Sequence, residues 1–329
     1  MGKKGKKDKK GKGKGKGQGK GQGQGQDQGQ EAEGPLLPAG SADWPCLELV
    51  EEVELARLLG DELEGRGEAS GVHHLDGWLY VVFDDVPHVA RLSRALKKAR
   101  KGEHGLIRQR GGGGFEDLTF DPEGQRWFLL MESAARGGAF RPRVEEYSED
   151  FRFLGASWLD WEVEDENKGL EGLAHLRVSG KEYLLGMCEG NHGKGGRRGR
   201  EPGFGRVQLF ARAGKRGWEH VNQLELPRSV LFEDYASLDV SGGRITVVSQ
   251  ATSAVWIGEL KGLKDPARFA SDGQVYRLPV EKDGRPRYGS VEGITWVGER
   301  ELAAVSDRHD TGARGLEKAI HVFRLPPSA

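Results

Sequence analysis

One short phrase returns five times along this chain in diverged wording, and it constrains the fold more than any other feature. The copies are Ala69-Ser70-Gly71-Val72, Phe115-Glu116-Asp117-Leu118, Leu170-Glu171-Gly172-Leu173, Tyr235-Ala236-Ser237-Leu238 and Val291-Glu292-Gly293-Ile294. Their last residues are separated by 46, 55, 65 and 56 positions, which suits supersecondary units with loops of variable length. After each phrase and a turn comes a β-branched or aromatic run: Trp78 to Phe83, Trp127 to Met131, Tyr183 to Met187, Ile245 to Ser249 and Leu302 to Val305. Such runs, bounded by turn residues, read as strands. A third strand follows in every copy, and a fourth is expected at Leu106 to Gln109, Phe153 to Trp158, His220 to Leu226 and Val275 to Leu278. The last copy runs out of chain after its third strand.

Repeated four-strand units predict an all-β chain folded as a single β-propeller, with five four-stranded blades and six as the alternative. The competing reading is a β-sandwich or two stacked domains made of the same strands. The unpaired segment Leu47 to Leu55 suits the missing outer strand of the last blade, although Leu47, Val50, Val53, Leu58 and Leu59 also suit a helix face. The expected division is a disordered Lys/Gly/Gln-rich tail over 1–34, a linker and closing strand over 35–64, and the propeller over 65–327.

Composition explains the tail. Residues 1–30 hold ten Lys and two Asp, a charge of +8, with no apolar residue after Met1, too little to offset the entropy lost on folding. The whole chain carries −1, so the remainder is acidic at −9. A flexible block of lysines can hold a polyanion without reading sequence, or can simply keep the protein dissolved. No apolar run resembles an export signal or a membrane span, so the expectation is a cytoplasmic protein with no membrane partner. Two cysteines, Cys46 and Cys188, are too few for a disulfide framework. Cys188 reads as a packed strand thiol.

In an antiparallel unit the start of the first strand and the end of the second share one end of the sheet. The first set reads Ser70, Glu116, Glu171, Ala236 and Glu292, and the second reads Asp84, Glu132, Glu189, Gln250 and Asp307. Carboxylates gathered this closely need a positive partner. A divalent cation, calcium by preference for oxygen donors, is one answer, with Glu116, Glu171, Glu292, Asp84, Glu132, Glu189 and Asp307 as candidate ligands. The other answer is bonding to turn amides or pairing with Lys168, Arg136 and Arg308.

The loop from Asn191 to Arg200 opens on the same end. Its Lys194, Arg197, Arg198 and Arg200, with Arg308 from the last unit, suit a small anionic ligand or partner, while the plainer reading is a solvated surface loop. Arg141 and Arg143 are expected in the equivalent loop of the second unit. His192 and His309 are candidate general acids or bases. Signatures of phosphate loops, zinc proteases and nucleophile elbows are absent.

The phrases Gly114-Phe115-Glu116-Asp117-Leu118, Lys168-Gly169-Leu170-Glu171-Gly172-Leu173, Asp234-Tyr235-Ala236-Ser237-Leu238 and Val291-Glu292-Gly293-Ile294, with Cys188-Glu189-Gly190-Asn191, resemble the blades of the SdiA-regulated and phytase-like propeller families over roughly residues 65–325. That resemblance implies a propeller whose mouth can hold calcium and, in the phytase-like branch, an ester-hydrolysing activity. Ser70 and Ala236 depart from the pattern. The sequence therefore supports a cation- and anion-binding propeller first and a metal-dependent hydrolase of phosphoric or carboxylic esters second.

Overall fold

The protein is described by a computed structural model over residues 41–63, 66–97, 103–108, 114–164, 168–214, 217–262, 268–308 and 313–327. Expectations for the tail at 1–34 and for His309 lie outside these residues.

Tight turns set the strands. Three inner hairpins reverse on two residues of positive φ, Asp76-Gly77, Ser179-Gly180 and Gly242-Gly243. This turn geometry matches the twist of antiparallel strands, and glycine adopts it at no steric cost. The first unit comprises Ala69–Leu75, Trp78–Phe83, His88–Ser93 and His104–Arg108, hydrogen-bonded in that order. The second comprises Asp117–Asp121, Arg126–Arg136, Ala139–Ser148 and Phe153–Asp160, and the third Leu170–Val178, Lys181–Cys188, Arg206–Ala213 and Gly217–Glu225. The outer strands of these two units meet in parallel where Leu159 and Asp160 face Trp218 and Glu219. In the fourth unit, Ser237–Ser241, Arg244–Ser249 and Ala254–Gly262 are followed by Arg268–Phe269 and Gln274–Arg277, which both pair with Ala254–Gly262.

The last unit is completed from the other end of the chain. Val291–Trp296, Glu301–Ser306 and Ala319–Arg324 are followed in the sheet by Glu48–Glu54, antiparallel to Ala319–Arg324. The strand and helix signals over 47–59 divide the segment between them, since Leu55–Leu59 is a helical turn that buries Leu55, Leu58 and Leu59.

The innermost strand of each unit packs on that of the next, and Val291–Trp296 packs back on Ala69–Leu75, closing a circuit. The fold is a β-propeller. Apolar side chains fill the seams between neighbouring units. Val82, Leu118 and Trp127 meet in one seam, Phe128, Leu173 and Leu184 in the next, and Val72, Leu79, Ala303 and Val305 where the circuit closes. Trp127, Trp218 and Trp256 are among the largest side chains buried this way. Each contributes a few kcal/mol by leaving water, at about 25 cal/mol per Å².

Two local expectations are corrected. Arg141 and Arg143 lie in a strand, not a mouth loop, because Arg126–Arg136 and Ala139–Ser148 form one long hairpin turning at Gly137-Gly138, both at positive φ. The Asn191 to Arg200 stretch is folded into the turns Asn191–Gly193 and Gly196–Gly199. Buried Asn191 organises it: Nδ2 donates to the carbonyls of Gly199 (3.1 Å), Phe232 (3.0 Å) and Glu233 (3.1 Å), and Oδ1 accepts from the Phe204 amide (2.9 Å) and the Tyr235 hydroxyl (3.0 Å).

Candidate cation site at the carboxylate mouth

Three inner strands begin with a bulge. The register slips between Ala69 and Gly71, Leu170 and Gly172, and Val291 and Gly293, leaving Ser70, Glu171 and Glu292 as the extra residues. A bulge re-aims one side chain and increases local twist. Glu116 stands at the equivalent place, its amide donating to Leu130 O (3.0 Å). The glycine after each bulge lets neighbouring inner strands meet. A Cβ on Gly71 would lie 2.6 Å from Asp117 Cα, one on Gly172 2.6 Å from Leu238 N, and one on Gly293 2.8 Å from Val72 N.

The acids at these positions interact across units. One carboxylate oxygen from each of Glu132, Glu171 and Glu189 lies within 4.8 Å of the others. Burial, together with Glu132, Asp84 and Glu189, pushes the Glu116 carboxyl up to about 8. Burial and then Glu116, Glu132, Glu189 and Glu292 hold Glu171 well above the ordinary range. Glu292 is raised likewise by burial, then by Asp307, Asp84, Glu116 and Asp234. Asp84 rises to about 6 through burial and the charges of Glu68, Asp85 and Asp307. Glu132 and Asp307 are raised mainly by burial, and the buried Oδ1 of Asp307 has no hydrogen-bond partner among the described residues.

Part of the charge is offset internally. Lys168 Nζ donates to both oxygens of Glu189 at 2.6 Å, Glu132 accepts from the Gly169 amide at 2.8 Å, and Glu132 and Glu171 share a hydrogen bond. The pairing with Lys168 and the binding of turn amides, expected as the alternative to metal, therefore both occur. Arg136 lies over the Trp158 ring instead, and Arg308 is exposed, with its backbone amide on the Asp307 carboxylate. Among these groups, oxygens of Asp84, Asp307, Glu116, Glu171 and Glu292 are those left for a hard cation. The donor chemistry fits calcium, which takes six to eight oxygens in flexible geometry.

Two acids of this mouth were not singled out from the sequence. Asp234, raised to about 6 by burial, accepts from Ser249 Oγ (2.6 Å) and the Ala251 amide, and it acts on Glu292. Glu68 acts on Asp84 and Asp307. Each stands two residues before the bulge position, in the two units where that position is Ser70 or Ala236. Reading the repeats at that offset would have found them.

Of the cationic side chains, Lys194 and Arg200 border a cavity of about 340 Å³ together with Lys168, Glu189 and Asp234. Lys194 is ion-paired with Glu164. Arg197 and Arg198 line a neighbouring surface depression with Arg200 and Glu201. His192 is tied into its own loop, stacked 3.9 Å from Phe204 with Nε2 3.1 Å from Glu201. Arg141 binds Asp160 (2.5 Å) and Glu162 (2.6 Å), and Arg143 binds Glu145 (2.9 Å), so neither stands free at the mouth. Cys188 is buried and receives Gln208 Nε2 at 3.3 Å, and burial pushes its thiol up to about 12. No described helix is long and apolar enough to cross a membrane.

No protein-family model and no curated protein matches the chain, so the resemblance to SdiA-regulated and phytase-like propellers rests on the residue phrases alone. Among solved structures, the chain is similar to the PQQ-bound aldose sugar dehydrogenase of Streptomyces coelicolor, at 14% identity and TM-score 0.42, covering 84% of this chain and 98% of that one. It is similar to CoXyl43, a GH43 β-xylosidase/α-arabinofuranosidase from a compost metagenome, at 11% identity and TM-score 0.47, covering 85% and 94%. The glutaminyl cyclase of Myxococcus xanthus matches at 13% identity and TM-score 0.45, covering 85% and 96%.

Proposed function

We propose that this propeller, which we read as five-bladed, binds a divalent cation at the carboxylate mouth and, beside it, a small anionic ligand or an acidic partner. The observation that carries this reading is the convergence of Glu132, Glu171 and Glu189 within 4.8 Å, with Glu171 held well above the ordinary carboxyl range. Desolvated acids this close retain protons or attract a cation, because their mutual repulsion is screened little by solvent. Calcium is the best match to an all-oxygen donor set offered by separate loops. Glu116, Glu292, Asp84 and Asp307 supply the remaining oxygens, and Lys194 and Arg200 on the adjoining cavity suit the anion.

Binding requires Glu171 to release its proton and Lys168 to leave Glu189. Thermal unfolding of chelator-treated protein, titrated with calcium at pH 8, tests this. At a hundredfold excess over Kd the gain is about 2.7 kcal/mol. Glu171→Gln should remove the gain, and Lys168→Met should raise the affinity. A melting temperature indifferent to calcium, magnesium and manganese would refute the reading.

Hydrolysis of phosphoric or carboxylic esters is the second reading, favoured by Lys168, Lys194 and Arg200 bordering the same cavity as Glu189 and Asp234. The cation would supply Lewis acidity, and the lysine and arginine side chains would hold the developing negative charge. A panel of phosphate and acyl esters with each of the three cations decides it; absence of turnover leaves the binding function alone.

A further inference from the structure

The opposite mouth of the channel holds a second cavity, and its chemistry differs from the first. Beyond Asp117, whose buried carboxylate accepts from the amides of Leu118 and Leu173 (2.8 Å each) and from Ser237 Oγ (3.0 Å), the inner strands splay around a space of about 430 Å³. That size lies in the range of small-molecule sites. His73, Thr119, His175, Asp239, Ser241 and Trp296 are among its lining residues.

Most charge at this end is already matched. Arg177 donates to both oxygens of Asp121 (3.1 and 2.6 Å), Arg126 reaches Asp121, Glu146 and Glu182, and Arg212 binds both oxygens of Glu146 (2.6 and 2.7 Å). Asp121, His175 and Glu182 come within metal-ligand distance of one another, but the three guanidiniums already hold the carboxylate oxygens of Asp121 and Glu182. That trio is an ion-pair network.

Asp239 is different. Its Oδ2 accepts from Thr295 Oγ1 (3.1 Å) and the Trp296 amide (3.0 Å), while Oδ1 makes no hydrogen bond among the described residues, on a side chain whose residue is only 7% exposed. Beside it, the His73 ring makes no hydrogen bond among the described residues and stands edge-on to Trp127 at 5.7 Å. Burial holds this imidazole below its ordinary value despite the neighbouring Asp239, so at neutral pH it carries a lone pair and no charge. The cavity thus offers a carboxylate oxygen and an imidazole nitrogen as unmet acceptors, with Phe120 and Trp296 supplying apolar wall. Both residues line the cavity and are not sealed in the core, so a molecule entering it can supply the missing donors.

We propose that this cavity is a second ligand site, for a small organic molecule bearing a primary ammonium group that donates to Asp239 Oδ1 and His73. The ammonium supplies three donors and one positive charge, which answers the unmatched carboxylate, and a short alkyl portion packs on the aromatic wall. This site is independent of the cation reading at the carboxylate mouth.

The test is calorimetric titration of the full-length protein with butylamine and 1,4-diaminobutane at pH 7.5 in excess calcium, repeated with the Glu171→Gln variant so that binding at the carboxylate mouth is recognised. The expected result is saturable one-to-one binding that weakens at least tenfold in Asp239→Asn, survives in Glu171→Gln, and weakens in His73→Gln. Asp239→Asn keeps an acceptor for Thr295 and Trp296, and if it fails to fold, His73→Gln carries the test. Absence of saturable amine binding, affinity unchanged in both Asp239→Asn and His73→Gln, loss of binding in Glu171→Gln, or uptake of xylitol or phosphate at this cavity instead of amine would each overturn the proposal.

Discussion

Metal-free protein should lose stability as pH rises from 5 to 8.5, against the usual trend for acidic groups, and the Glu116→Gln variant should abolish much of that loss. Burial and the charges of Glu132, Asp84 and Glu189 move the Glu116 carboxyl from 4.5 to about 8 in the folded protein. A carboxyl raised in the folded state binds its proton more tightly there than in the unfolded chain. Its stabilising contribution is complete below 4.5 and is lost progressively as pH climbs through 8. At about 1.4 kcal/mol per unit of pKa, the full loss is about 5 kcal/mol, an upper bound because the neighbouring acids share the repulsion. Asp234, moved from 3.8 to about 6, adds to the lower half of the same window, and exposed Asp84 adds less because solvent screens its neighbours. Urea unfolding followed by tryptophan fluorescence in chelator, at pH 5 and 8.5, measures the effect. Glu116→Gln should match wild type at pH 5, where the carboxyl is protonated, and exceed it by several kcal/mol at pH 8.5. Calcium should restore wild type at pH 8.5 more than it does the variant. Wild-type stability that is flat or rising over this interval without metal would refute the argument that the acids are desolvated together.

Gly172→Ala places a Cβ 2.6 Å from the Leu238 backbone and should lower stability by about 1–3 kcal/mol or more, whereas Gly105→Ala, with nothing within 4 Å, should stay within about 0.5 kcal/mol by the same urea assay. Glu52→Ala, which removes bonds to Arg287 (2.7 Å) and the Tyr288 hydroxyl (2.9 Å) from the closing strand, should cost about 3 kcal/mol and speed hydrogen exchange over Glu48–Glu54. Cys188 should resist iodoacetamide at pH 8 until denaturant is added, since its buried thiol titrates at about 12, and mass mapping of the labelled peptide checks this.

The repeat was legible because a strand, a turn and a second strand are encoded within a dozen residues, and the acids because they keep a constant offset from the repeated phrase. What escaped notice depends on partners that only the closed circuit brings together. Asp117 meets the Leu173 amide, Thr119 the His175 amide, Asp121 the Arg177 side chain, and Asp239 the Thr295 hydroxyl, each pair 56 residues apart. The spacing shows once the neighbouring inner strands are aligned and is invisible before that. The sequence offers Lys168 as a partner for these acids, but its bidentate hold on Glu189 follows from the path of residues 168–170 alongside the end of Lys181–Cys188, which no local pattern specifies. Arg141 reads from the sequence as a loop residue because Gly137-Gly138 extends a hairpin whose alternation is obscured by Glu132 to Arg136.

Why acids should gather at this mouth follows from the geometry of a narrow ring. Inner strands that touch backbone to backbone need a glycine on at least one side of each contact, and Gly71, Gly172 and Gly293 supply it. The bulge just before the glycine leaves its extra residue outside the ladder and re-aims that side chain, so the residue there is chosen for the channel end and not for strand pairing. Ser70 uses the position structurally, donating to Phe115 O at 2.7 Å. Glu171 and Glu292 leave it open, and their neighbours Glu132, Glu189 and Asp307 close in from second-strand ends. The ring is therefore unequal by design of its sequence: acids crowd around the second and third units, where Lys168 sits, while Glu68 and Asp234 contribute to the rest from two residues earlier. An ammonium already occupies the crowded sector. A cation that enters at Glu189 releases Lys168, which already lines the cavity with Lys194 and Arg200, so that its charge becomes available to an anion there. Cation and anion binding should then be mutually strengthening, each raising the affinity of the other by the same factor. Phosphate affinity measured with and without saturating calcium tests this coupling, and equal affinities would show that the two halves of the mouth act separately.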